Sequence, residues 1–123
     1  MPSHLVAVVD DDASVRRALT RLMQSAGIRV HTYASATEFL DTGISSAPEC
    51  LILDIHLGGM SGLELLWQLR RSGHDLPVLI ITAHDDPQAR EAARQGGCRA
   101  YLRKPLDAQA LLQEVRSAVE SGV

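Results

Sequence analysis

The chain has 123 residues, 46% hydrophobic and 22% charged, with a formal net charge of −3. That size suits one domain with its own core, and the balance excludes a disordered or fibrous chain and a broadly basic nucleic-acid binder. The aromatics are Tyr33, Phe39, Trp67 and Tyr101, too few for a base-stacking platform.

Leu5-Val6-Ala7-Val8-Val9 is a continuous apolar run, the pattern of a strand buried on both faces. From Asp12 the period becomes helical, with Val15, Ala18, Leu19, Leu22, Met23 and Ala26 on one stripe and Gly27 closing it. Ile28–Tyr33 alternates with Arg29 and His31 and reads as an edge strand. Ser35–Glu38 is a capping box for a short helix through Leu40, and Thr42–Glu49 reads as a loop. Cys50–Leu53 is a buried strand ending at Asp54, and Ser61–Glu64 opens a helix with Leu65, Leu66 and Leu69 inside. Pro77–Ile81 is the next strand, followed by Asp86-Pro87 as N-cap and first helical residue. A thin stripe of Ala89, Ala92, Ala93 and Gly96 follows. Arg99–Leu102 is a last strand, and Ala108, Leu111, Leu112, Val115 and Val119 stripe the final helix.

Five strand–helix repeats with apolar strands predict an α/β fold: a parallel sheet covered by helices on both faces. Cys50 and Cys98 form no metal or disulfide motif and read as reduced, partly buried thiols. No apolar run reaches membrane-span length, so no membrane contact is expected. Met1-Pro2-Ser3-His4 lacks the features of a signal peptide, and a cytoplasmic domain is expected.

Chemistry concentrates at the carboxyl ends of the strands, where ligands of such sheets bind. Asp10, Asp11 and Asp12 follow the first strand, Asp54 the third, Thr82 the fourth, and Lys104-Pro105 the fifth. A triple Asp also serves as a turn and helix cap, the reading adopted for Asp12. If strands one and three are neighbours, Asp10, Asp11 and Asp54 converge and need opposite charge nearby, from a hard divalent cation or from Lys104. Carboxylate, ammonium, hydroxyl and metal together suit a phosphoryl group.

The chain resembles a response-regulator receiver domain of two-component signalling. The resemblance rests on Val8-Val9-Asp10-Asp11-Asp12, on Leu51-Ile52-Leu53-Asp54-Ile55-His56-Leu57 with Gly59-Met60-Ser61-Gly62, on Ile80-Ile81-Thr82-Ala83, and on Tyr101-Leu102-Arg103-Lys104-Pro105. It implies a single receiver domain over 1–123, with a core at about 4–120. The implied fold is flavodoxin-like, doubly wound (βα)5, with parallel strand order 2-1-3-4-5. It implies that Asp54 accepts a phosphoryl group from a sensor histidine kinase or phosphotransfer protein. Mg²⁺ would be held by Asp10, Asp11, Asp54 and the backbone carbonyl of His56. Thr82 and Lys104 would contact the phosphoryl group, Tyr101 would be the aromatic that turns inward when Thr82 shifts, and the Lys104–Pro105 bond would be cis. A homodimer through the fourth helix, fifth strand and fifth helix is a family possibility. Direct nucleic-acid binding by this domain is not expected.

The family usually has Pro four residues after the acceptor; here Gly58 stands there, which predicts a looser loop. Arg16, Arg17 and Arg21 make one side of the first helix basic, either a kinase-docking face or a solvated one. Trp67 falls off the leucine stripe and is expected to be half exposed. His56 and His84, each two residues beyond a site residue, are expected over the pocket. There they would be idle, block water or activate it; of the two functional readings, blocking is favoured over activation. The main alternative function is a small haloacid-dehalogenase-like phosphatase using Asp10 and Asp12. An FMN binder fails because three Asp repel phosphate. A purely protein-binding use of the fold leaves the Asp and Lys set unexplained.

Overall fold

Runs of Val, Ile and Leu bounded by polar turns form the strands, and capped amphipathic segments form the helices between them. The computed structural model describes residues 4–121; the reading of Met1–Ser3 lies outside the described residues. Strands β1 (Leu5–Val9), β2 (Arg29–Tyr33), β3 (Cys50–Asp54), β4 (Val78–Thr82) and β5 (Ala100–Arg103) alternate with helices. These are α1 (Ala13–Ser25), α2 (Ala36–Glu38), α3 (Gly62–Arg71), α4 (Pro87–Gln95) and α5 (Ala108–Ser121). All pairings are parallel, in the order β2-β1-β3-β4-β5. This is the doubly wound, flavodoxin-like arrangement, and its switch point lies between β1 and β3.

Strand residues alternate between two cores. Ala7, Val9, Leu51, Leu53 and Ile80 pack with Phe39, Leu65, Leu66, Leu69 and Ala93 on one face. Val6, Val8, Ile52, Leu79 and Ile81 pack with Leu19, Met23, Leu111, Val115 and Val119 on the other. The three central strands β1, β3 and β4 are buried at every position, whereas β2 and β5 are the part-exposed edges. Asp12 caps α1 through the Ser14 N–H, Ser61 and Glu64 form the reciprocal capping box of α3, and Asp86 caps α4 with Pro87 at its first turn.

Some sequence-based boundaries move. Strands β4 and β5 each start and end one residue later than expected, which brings Thr82 inside the sheet. The expected loop after residue 41 is largely helical: α2 runs into a π-helical turn, Phe39–Gly43, and a 3-10 turn, Ile44–Ser46. Gly43 permits this, because a Cβ there would lie 2.5 Å from the Phe39 ring and 2.6 Å from that of Tyr33. In α5 the buried stripe is Leu111, Val115, Ala118 and Val119; Ala108, at the first turn, is exposed. The α1 stripe is only partly covered. Val15, Ala18 and Leu22 instead line a cavity of about 550 Å³ together with Leu106 and Leu111.

Candidate functional site

Parallel pairing brings the strand ends to one edge. Val9 pairs with Leu53, so the next rung sets Asp10 beside Asp54. Asp54 pairs with Ile81, and Thr82 with Arg103, so Thr82 and Lys104 complete the row. The carboxylates of Asp10, Asp11 and Asp54 each offer an oxygen within 4.8 Å of the others.

Charge compensation comes from Lys104. Its Nζ donates to Asp10 Oδ2 at 2.9 Å and to Asp54 Oδ2 at 3.3 Å. Asp10 is wholly buried and its Oδ1 accepts the Asp12 N–H. Asp54 is 4% exposed, and its Oδ1 accepts the His56 N–H at 3.0 Å. Asp11 sits on the open side, exposed. Burial, reinforced by the Asp10 charge, pushes the Asp54 carboxyl above its ordinary range against the pull of the His56 N–H and Lys104. Burial alone would lower the Lys104 ammonium; the Asp10 hydrogen bond and the two carboxylate charges outweigh it and raise it. The donor set is all hard oxygen, which fits Mg²⁺ rather than a thiophilic ion.

Thr82 is buried, and its Oγ1 donates to the His84 carbonyl at 2.9 Å while accepting the His84 N–H at 3.1 Å. Tyr101 lies on β5 with its hydroxyl buried and without a hydrogen-bond partner. The Arg90 guanidinium lies 4.9 Å from the Tyr101 ring centroid and reaches Asp85 at 2.9 Å. The Lys104–Pro105 peptide is cis.

Two residues of this neighbourhood, both named from the sequence, make contacts that the sequence does not foretell. Gly62, at the start of α3, presses on β3: a Cβ there would collide with the Asp54 carbonyl oxygen. Arg16 is not a merely solvated member of a basic face, because its Nη1 donates to the Asp10 carbonyl at 2.7 Å. The Gly-Met-Ser-Gly string holds Gly62 in plain view, but its need is visible only once α3 is packed. Asp12 serves as the α1 cap and is exposed. Asp10, the nucleophile of the dehalogenase-like reading, is wholly buried and bonded to the Asp12 N–H and to Lys104.

A family model described as "Response regulator receiver domain" matches residues 6–116. The chain belongs to the response regulator receiver domain family. Nodulation protein W of Bradyrhizobium diazoefficiens is 40% identical over 94% of this chain and 51% of that protein. The transcriptional regulatory protein FixJ of Azorhizobium caulinodans is 38% identical over 97% of this chain and 57% of its own length. The receiver chain thus spans about half the length of these curated relatives. A solved response regulator receiver protein from Burkholderia phymatum is 45% identical with a TM-score of 0.82, covering 96% of each chain. Receiver domains are signalling domains of two-component systems and generally bind Mg²⁺ at an acidic cluster like this one. Among the described residues no helix is long and apolar enough to cross a membrane.

Proposed function

We propose that this receiver domain is a phosphoryl-accepting switch in which Asp54 takes a phosphoryl group from a phosphohistidine. The observation that carries the reading is the single cleft where Asp54, Asp10, Asp11 and Lys104 meet, with Thr82 on the adjoining strand. One Asp54 oxygen forms a bond to phosphorus as the P–N bond of the donor breaks and the electron pair leaves on the imidazole. Lys104 pairs with a phosphoryl oxygen, and Asp10 holds the lysine in place. Asp11, Asp54 and the His56 carbonyl would hold Mg²⁺, with Asp10 acting through water. Mg²⁺ would supply charge neutralisation for the phosphoryl oxygens.

Thr82 then turns its hydroxyl from the His84 carbonyl to the phosphoryl group. That exchange frees the β4–α4 loop, and Tyr101 fills the space vacated. The donor is a sensor histidine kinase or phosphotransfer protein, and the open apolar cavity between α1 and α5 suits a helix of that donor. The unit is a single receiver domain over 1–123. A phosphorylation-dependent homodimer through α4, β5 and α5 is the proposed output contact, with no direct role for nucleic acid. His56 and His84, exposed at the rim, slow water attack on the acyl phosphate.

Incubation with acetyl phosphate and Mg²⁺ should add one acid-labile phosphoryl group, read by mass spectrometry. Asp54→Asn should take none. Equal labelling of that variant overturns the assignment; labelling lost only in Asp10→Asn, with hydrolysis of a generic phosphate ester, returns the phosphatase reading.

A further inference from the structure

The oxygen cleft does not use every ligand-bearing side chain near it. His56, from the β3–α3 loop, and His84, from the β4–α4 loop, lie with ring centroids 5.3 Å apart and planes at 81°. Both are exposed. They are brought together by the fold alone, being 28 positions apart in the chain.

We propose that this pair is a second cation site, for a borderline divalent transition ion such as Zn²⁺, distinct from the carboxylate cleft. With a metal–nitrogen bond of about 2.0–2.1 Å, each imidazole centroid stands about 3.2 Å from the ion, and a tetrahedral angle separates two such centroids by about 5.2 Å. The observed spacing of 5.3 Å is close to that value, so binding would need each ring to turn one nitrogen toward the ion. Water completes the coordination. Ligand chemistry keeps the two sites apart: imidazole suits Zn²⁺, Ni²⁺ and Cu²⁺, whereas Mg²⁺ takes oxygen donors and stays with Asp11 and Asp54. A bound ion would tie the two loops that border the cleft. The inference is independent of the phosphoryl-transfer reading.

The remaining histidines are placed differently. His4 is held by Glu49 at 2.9 Å, His31 lies on the edge strand β2, and His74 follows α3, where its carbonyl accepts from Arg70. This gives internal controls.

The test is a calorimetric titration of the full chain with Zn²⁺ in excess Mg²⁺, alongside the imidazole proton resonances. One equivalent should bind and shift His56 and His84 together. His56→Ala and His84→Ala should each weaken binding at least about tenfold, as expected when one of two protein ligands is removed. His74→Ala and Asp11→Asn should leave it unchanged. Both histidines are exposed, so their variants keep the fold, and unchanged melting without metal checks this. Absence of saturable binding reduces the pair to simple ring packing and overturns the site. So does weakening in only one of the two histidine variants. Binding lost in Asp11→Asn or abolished by Mg²⁺ places Zn²⁺ in the carboxylate cleft and equally overturns it.

Discussion

Asp54 is buried beside a second carboxylate, and Lys104 answers both. Because burial and Asp10 raise its pKa, folded Asp54 binds its proton more tightly than the unfolded chain does. Its contribution to stability is therefore present below the ordinary carboxylate range and lost as pH rises through the elevated folded value. At neutral pH, with divalent ions chelated, Asp54→Asn should be more stable than the parent by about 1 kcal/mol, the order of an incompletely compensated buried charge. Its stability should also fall less as pH rises from acid to neutral. A lower denaturation midpoint for the variant at pH 7 contradicts this electrostatic picture. The cysteines make a separate point about burial. The Cys50 thiol, wholly buried on β3, is pushed up to about 12 by loss of water, with Arg99 opposing weakly. Thiolate is the reactive form, so a thiol reagent at pH 8 should label the partly exposed Cys98 well before Cys50, and both equally in denaturant. Faster labelling of Cys50 would mean that β3 opens locally.

Helices α3 and α4 differ sharply in how they are held. Helix α3 buries Leu65, Leu66 and Leu69, each worth about 1.5–3 kcal/mol, while α4 fully buries only Ala93 along its length. The sequence periodicity shows this contrast directly: three leucines on one stripe, alanines and a glycine on the other. It does not show how the end of α4 is fastened. Arg70, near the end of α3, donates to the carbonyls of Gly96 and Gly97 at 2.9 and 3.1 Å, and to those of His74 and Leu76 at 2.9 Å. Gly96 lies against Leu66, where a Cβ would come within 2.7 Å. One side chain thus closes two helix ends. Arg70→Ala should cost about 2 kcal/mol, the order expected when part-buried carbonyls lose charged donors, and thermal unfolding measures it. Arg70→Lys should recover little, because a single ammonium cannot span the fork; full recovery by lysine would reduce the clamp to charge alone. The strand-end carboxylates, caps and sheet class were legible because each depends on local pattern and alternation. The clamp, the Gly62 contact and the helical stretch after Phe39 were not, because each depends on which distant residue arrives there.

At the scale of the whole domain, these anchors determine where a change at Asp54 can travel. If Asp54 takes the phosphoryl group as proposed, its side chain goes from one negative charge to roughly two, by analogy with other phosphoryl groups. Under the proposed function, Thr82 would exchange its bond to the His84 carbonyl for one to the phosphoryl group. The loop so released leads into the end of α4 capped by Asp86, the end that Arg70 does not hold. Arg90 spans that end, bonded to Asp85 and stacked over Tyr101, whose buried hydroxyl lacks a hydrogen-bond partner. Helix α4 should therefore swing about its Gly96 end rather than shift as a body. Hydrogen exchange compared between the phosphorylated and free forms should change mainly over 83–104, most at 83–90 and less toward 95–97. In Arg70→Ala the change should spread through Gly97 into β5, because the pivot is gone. Equal changes in α1 and across the sheet would mean that the signal is not carried by this loop. A uniform change along α4 in the parent would replace the hinge with rigid displacement.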